Sequence, residues 1–289
     1  MSDTFLLGQE SSKAGKKSFR TLKSQTNLET GGSNANSQGE AIFAVINCKI
    51  PLGKKKDYTP RIIPLTHKLD EAANKSILLI TKDPSTDYRP QLEEKDCPTE
   101  DMFNQIYSLK RLKSIAKDPK KLFKAFKEFD IIVADNRVHK FLPQILGTPF
   151  YAKNKKLPFM IQMAKPSPTA SLVKGKKSTK LKDNRCEPKY VARQMNSIVN
   201  NTNFLPPVNG NCVSIKIGYT NWKESDLLTN LNDVLLYLVD EKYKPVGGML
   251  NNVKNIGSIF VKTGESISLP VYKADEEVVE EENDSDFDF

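Results

Sequence analysis

Three stretches of alternating residues put one kind of chemistry on one side of a strand. In Ala41–Ile50 (AIFAVINCKI) the side chains of Ile42, Ala44, Ile46, Cys48 and Ile50 share a face, which leaves Phe43, Asn47 and Lys49 on the other. In Cys212–Gly218 (CVSIKIG) Ser214 and Lys216 stand opposite Val213, Ile215 and Ile217, and in Ser258–Thr263 (SIFVKT) Phe260 and Lys262 oppose Ile259 and Val261. If the three strands share a sheet, one face offers amines for phosphates, small polar groups for 2′-hydroxyls and rings for stacking, which suits a folded RNA. An exposed polar face that binds nothing would carry the same pattern.

The charge points the same way. Lys+Arg total 44 against 35 Asp+Glu, a formal +9, but nine of the acids and no base lie in 275–289, so the preceding 274 residues carry 44 basic against 26 acidic groups. A body that basic expects a polyanionic partner. Two clusters stand out. Lys153–Arg193 holds twelve Lys/Arg against Asp183 and Glu187, and within it Lys153, Lys155, Lys156, Lys174, Lys176 and Lys177 form a secondary basic patch. Leu109–Glu128 holds eight basic residues against two acidic ones. Phosphate neutralisation with counterion release would dominate binding at such sites.

Catalytic patterns are missing. The first strand-to-helix turn of the α/β region, Thr81–Ser85, has no glycine, and neither GxGxxG nor GxxxxGK[ST] occurs. His139 reads as a structural histidine and His67 as a hydrogen-bonding residue at a junction; Trp222 reads as a partly buried loop anchor. Cys48, Cys97, Cys186 and Cys212 are separated by 49, 89 and 26 residues, so with two histidines no zinc spacing can be assembled and free thiols are expected. The expectation is a chain that is not an enzyme, with no cofactor, no metal and no small-molecule substrate. No apolar run approaches the length of a membrane span, and the start lacks a leader pattern, so no membrane partner is expected and the cytosol or nucleus is.

These residues need a scaffold, and its outline follows from periodicity. Residues 1–38 are polar and read as a flexible segment with at most a short helix. Ser76–Thr81 and Asp130–Asp135 are buried strands and Leu157–Met163 a third apolar run; helices are expected over Thr99–Ile106, Pro119–Glu128 and Val138–Leu146, the last closed by Gly147, with Leu109–Ala116 either helix or strand. That alternation predicts an α/β fold with a parallel sheet over 71–162. Residues 163–185 read as a basic linker, Pro188–Asn200 and Ser225–Val239 as helices, and 274–289 as an acidic disordered tail.

The order of Pro60–Leu65 (PRIIPL), Ile77–Pro84 (ILLITKDP), Asp130–Gly147 (DIIVADNRVHKFLPQILG), Lys156–Ile161 (KLPFMI), Cys212–Tyr219 and Ile259–Tyr272 (IFVKTGESISLPVY) resembles the ribosomal stalk-protein superfamily, the L-one domain, and within it the fungal nucleolar branch of the U-three small-subunit processome. The resemblance spans about residues 40–273. It implies the two-domain L-one fold: a discontinuous α/β domain with an open sheet face (39–70 and 163–273) and an inserted three-layer, Rossmann-like α/β domain (71–162). It also implies that RNA binds the discontinuous domain at its sheet face and at the loop after the last strand. Ribosomal members read Ser-Thr-Met-Gly-Pro-Gly there; Lys262-Thr263-Gly264-Glu265-Ser266 stands in its place, so Thr263 matches, Gly264 matches only with a gap, and Met and Pro are gone. The implied function is a nucleolar ribosome biogenesis factor that binds pre-rRNA in early small-subunit precursors, with assembly factors and ribosomal proteins as partners. The alternatives are a large-subunit precursor factor or stalk protein of the same fold, or a mainly protein-binding scaffold.

Overall fold

The computed structural model describes residues 5–29, 39–53, 57–153, 156–169, 173–174 and 181–274. In chain order its elements begin with α1 (Gly8–Glu29), β1 (Ala41–Cys48), β2 (Arg61–Ile63), β3 (Ile77–Thr81), α2 (Arg89–Leu92), β4 (Gln105–Ser108), α3 (Leu109–Ala116), α4 (Pro119–Glu128), β5 (Ile131–Asp135), α5 (Asn136–His139) and α6 (Leu142–Thr148). They continue with β6 (Phe159–Ile161), β7 (Val173–Lys174), β8 (Leu181–Lys182), α7 (Pro188–Asn200), β9 (Thr202–Phe204), β10 (Cys212–Tyr219), α8 (Glu224–Val239), β11 (Ile256–Lys262) and β12 (Leu269–Lys273).

Alternation decides the first sheet. Along β1, Ile42, Ala44, Ile46 and Cys48 are buried and the residues between them half-buried. β1 pairs antiparallel with β10 on one side and β11 on the other, and β12 completes the order β10-β1-β11-β12. The three strands with matching faces thus lie together. Beneath them α8 presents Leu227, Leu231, Val234, Leu235 and Leu238, all inaccessible to solvent and spaced as one helical stripe. Five such side chains contribute on the order of 10 kcal/mol of burial before the opposing conformational entropy.

The expectation of a flexible residue 1–38 segment is corrected by α1, which runs for 22 residues. Its buried stripe is Ser11, Gly15, Ser18, Phe19, Leu22 and Thr26, a helical spacing carried mostly by small and polar residues and therefore invisible to a hydrophobic pattern. Gly15 allows the close approach: a Cβ there would stand 3.3 Å from both Leu228 of α8 and Val271 of β12. Ser18 Oγ donates to the Pro270 carbonyl at 2.7 Å, and Lys23 Nζ reaches Glu224 at 2.9 Å.

The second sheet is wholly parallel, in the order β4-β3-β5-β6. β3 is buried at every position because both faces are covered. Leu78, Ile80, Ile132 and Ala134 face the α3, α4 and α6 side, while Ile77, Leu79, Val133 and Ile161 face Val191, Met195, Ile198 and Val199 of α7. The fold is therefore α/β, with a three-layer parallel unit beside an antiparallel one. Because α7 packs on the parallel sheet, its assignment to the discontinuous domain is corrected; Gln194 of α7 also accepts from Gln162 N at 2.9 Å and donates to its carbonyl at 2.8 Å.

Two further helices are corrected. In place of one over Thr99–Ile106 there are turns followed by β4, held by the Asn104 amide oxygen accepting from Ile77 N at 2.7 Å. Val138–Leu146 is interrupted at Lys140–Phe141, so α5 and α6 stand where one helix was expected, and Gly147 takes a φ of 62°. The basic linker contains the short β7–β8 pair.

The chain crosses from the antiparallel to the parallel unit through Pro64–Asp70, and α8 fastens that crossing. Asn230, inaccessible to solvent, accepts from His67 N at 2.9 Å and donates to the carbonyls of His67 and Ile217 at 2.9 and 2.8 Å. Asp233 accepts from Thr66 N at 2.6 Å, and Asn201 accepts from Leu65 N at 3.0 Å. A buried amide is stable here because its groups are paired.

Candidate nucleic-acid interface

On the side of the antiparallel sheet away from α8, register converts the strand faces into rows. Phe43 is flanked by Lys216 and Lys262; Val45 by Ser214 and Phe260; Asn47 by Cys212 and Ser258. With strands about 4.8 Å apart, Lys216 and Lys262 sit about 10 Å from each other across the Phe43 ring. Asn47 Nδ2 donates to Ser258 Oγ at 3.0 Å, which ties two of these strands through their side chains. Lys49 lies just past β1 beyond a register shift at Asn47/Cys48, exposed. Lys49 and Lys262 form no ion pair among the described residues, so both amines are available to an anion.

Lys216 differs. Its Nζ donates to Tyr219 Oη at 2.8 Å, lies 4.4 Å from that ring's centre and stands 3.6 Å from Asp70, and Tyr219 Oη donates to Asp70 at 3.0 Å. Asp70 also takes Lys75 at 3.2 Å. Burial pulls the Lys216 ammonium below the ordinary lysine value against the opposing pull of Asp70. Burial and Asp70 together push the Tyr219 phenol up. The expectation of an open amine at Lys216 is therefore corrected: its ammonium is already paired with a carboxylate and a phenol. Sequence reading had no signal for Asp70, which is 149 residues from Tyr219 in the chain.

Lys216, Phe43 and Ser214 form one wall of a cleft of about 800 Å³ whose far wall carries Asp130, Tyr151 and Lys156 of the parallel unit. The loop after β11 is closed by a reciprocal pair, with Thr263 N donating to Ser266 Oγ at 2.9 Å and Ser266 N donating to Thr263 Oγ1 at 3.3 Å. Thr263 is only 2% exposed, so its expected ribose contact is corrected to a loop-shaping role. Gly264 is exposed, and nothing lies within 4 Å of where its Cβ would be.

Of the secondary basic patch, the described side chain is that of Lys156. Lys156 Nζ donates to the carbonyls of Phe126 and Phe129 at 2.6 and 2.7 Å, capping the end of α4, and burial lowers its ammonium. Its assignment to RNA is corrected accordingly. Lys155, Lys176 and Lys177 lie outside the described residues; the backbones of Lys153 and Lys174 fall in a helical turn and in β7. Along the C-terminal edge of the parallel sheet, where α/β folds take ligands, fully buried Asp135 is bonded to Arg137 N and to its guanidinium, which also donates to the Asp183 carbonyl. The protein's own ion pair fills that position. His139 Nε2 meets the Pro158 carbonyl at 3.1 Å, and His67 acts through its backbone.

The profile described as the Ribosomal protein L1p/L10e family matches residues 16–267. The ribosome biogenesis protein UTP30 of Saccharomyces cerevisiae is 43% identical over 238 residues, 81% of this chain and 82% of that protein. A Schizosaccharomyces pombe protein whose name places it in ribosome biogenesis is 26% identical over 223 residues, 76% of this chain and 51% of its own. Ribosomal L1 domain-containing protein 1 of Mus musculus is 23% identical over 250 residues, 82% of this chain and 46% of that protein. The chain thus spans about half the length of the last two relatives.

Proposed function

Because this chain belongs to the ribosomal protein L1p/L10e family, we propose that it is a non-catalytic ribosome biogenesis factor that binds pre-rRNA in early small-subunit precursors in the nucleolus, alongside other assembly factors and ribosomal proteins. The observation that carries the RNA reading is the row in which Lys216 and Lys262 flank Phe43, with Ser214, Asn47 and Ser258 in the rows beside it. Lysines position phosphates, a ring between them stacks on a splayed base, and hydroxyl and amide groups meet 2′-hydroxyls. The similarity to a relative named for ribosome biogenesis supports the setting.

Binding on this face has an order. Lys49 and Lys262 engage phosphates first, and Lys216 follows when a phosphate replaces Asp70. The Thr263–Ser266 ring holds the neighbouring loop in one shape, leaving backbone at Gly264 open to a close approach.

The test is crosslinking of the full chain to RNA in cells, with sequencing of the bound fragments and sedimentation of the bound particles. Lys49→Glu with Lys262→Glu should abolish most crosslinks and lower the salt slope of RNA binding by about 1.4 to 1.8, without lowering thermal stability. Crosslinks retained by that variant, or co-migration with mature subunits rather than precursors, would overturn the reading.

A further inference from the structure

The parallel unit carries a second surface that the sheet face does not use. On α4 the side chains of Lys120, Phe123, Lys124 and Lys127 fall within one arc of the helix, opposite buried Leu122 and Ala125. Phe123 is 49% exposed, in a helix whose buried side is already filled. Its ring lies parallel to that of Phe126, with centres 6.2 Å apart and 11° between planes, and Lys127 Nζ stands 4.8 Å from the Phe123 centre. Phe126 in turn abuts Phe150 edge-on at 5.1 Å. The exposed ring is thus held in a fixed orientation by an aromatic stack anchored in the core.

The surrounding charge is strongly positive. Residues 109–128 hold eight basic and two acidic side chains, and among the described residues the ion pairs of this region reduce to Lys121 with Asp118 at 3.7 Å. Asp118 is itself spent as the cap of α4, accepting from Lys120 N and Lys121 N. Lys113, Lys117, Lys120, Lys124 and Lys127 form no ion pair among the described residues.

We propose that this face of α3 and α4 is a second RNA-binding site, specific for unpaired segments: Phe123 stacks on a base while Lys120, Lys124 and Lys127 neutralise the adjoining phosphates. One ring amid cations fits a single strand, in which every base has a π-face and phosphates recur along the backbone. It fits a protein partner poorly, because protein interfaces centre on a larger apolar patch depleted of charge. A duplex is excluded by its stacked bases. Lys156 links the two sites spatially, since it lines the cleft beside the sheet face and also holds the last carbonyls of α4. A strand leaving the cleft would run onto this helix.

The experiment measures the full chain against a labelled short oligouridylate and against a perfectly paired RNA duplex, by anisotropy over a range of salt. Phe123→Ala should weaken oligouridylate binding on the order of tenfold while leaving duplex binding and the salt slope unchanged, and Phe123→Trp should retain or tighten it. Lys120→Glu with Lys124→Glu should reduce the salt slope by about 1.4. Unchanged thermal melts verify folding, and Phe123→Trp serves in place of the alanine variant if that one unfolds. Oligouridylate affinity within twofold of the parent for Phe123→Ala would overturn the proposal. So would preferential capture of an oligoglutamate that is lost on Lys120→Glu with Lys124→Glu. These outcomes are independent of the Lys49 and Lys262 variants, so failure here leaves the sheet-face reading separately tested.

Discussion

Replacing Asp70 by Asn isolates the contact on which the state of the sheet face turns. The carboxylate stands 3.6 Å from Lys216, 3.2 Å from Lys75 and 3.0 Å from Tyr219 Oη. At 3.6 Å and an effective dielectric near 20, the gross attraction to Lys216 is about 4 to 5 kcal/mol. The Lys216 side chain is 27% accessible and Asp70 10%, so solvent screening reduces the net pair to roughly 1 kcal/mol. A phosphate that recruits Lys216 must displace that interaction. Asp70→Asn keeps the side-chain size and an oxygen for Tyr219 while removing the charge, so RNA affinity should rise about fivefold, the equivalent of roughly 1 kcal/mol. The salt slope should steepen by about 0.7 to 0.9, because one more lysine now neutralises a phosphate. Fluorescence anisotropy across a salt series reads both quantities. In a Lys216→Met background the gain should shrink to whatever the release of Lys75 alone supplies, since the nearer phosphate ligand is gone. Unchanged affinity with an unchanged slope would refute competition between Asp70 and phosphate, and an equal gain in the Lys216→Met background would refute the role of Lys216 and assign the effect to Lys75 or to the general field.

Two other expectations follow from burial. Phe19→Ala should cost about 3 to 5 kcal/mol of unfolding free energy in urea, because the ring is wholly buried between α1 and the sheet; a loss below about 1 kcal/mol would show that α1 is peripheral after all. Cys48 is 2% exposed and its thiol is pushed from 9.0 up to about 11 by burial, with Cys212 adding to the shift. The folded state therefore keeps a proton that the unfolded chain releases first: stability is fully present below pH 9 and declines as pH rises towards 11, by roughly 2 kcal/mol from this group. Denaturation midpoints measured over that window should fall, and Cys48→Ala should flatten the decline; an equally steep decline in Cys48→Ala would refute the assignment to this thiol.

The elements legible in the sequence are those whose periodicity and burial coincide. β1, β10 and β11 alternate cleanly because one face packs on α8 and the other meets solvent, and α7 begins at Pro188, where a first turn tolerates proline. The N-terminal helix was illegible for the converse reason. Its contact stripe contains Gly15, Ser11, Ser18 and Thr26, and small residues pack closely without raising hydrophobicity. The placement of α7 was illegible too, because an amphipathic stripe of Val191, Met195, Ile198 and Val199 states that a helix is covered, not which sheet covers it. β4 was misread because its four residues Gln105–Ser108 are too few to establish a period, and only the pairing with β3 identifies them.

For the site, strand alternation placed Phe43, Ser214, Phe260 and Lys262 correctly on one face, since a period of two fixes the side of the sheet. It could not say which lysines are open. Lys216 and Lys262 occupy equivalent positions on either side of Phe43, yet one faces Asp70 across the cleft and the other does not. That difference arises from the crossing segment, held against α8 by Asn230, and has no counterpart in local pattern. Charge counting misleads in the complementary way. Most of the basic excess lies in 109–128 and 153–193 rather than on the sheet face, and Lys156 shows that a member of such a run can be consumed by helix capping. On the proposed RNA-binding reading, long-range attraction would come mainly from the parallel unit and its linker, whereas orientation would come from a few fixed groups on the antiparallel sheet. On that division, removing charge from α4 should slow association and leave the bound register intact, while changing Phe43 should alter which nucleotides crosslink at nearly constant salt dependence.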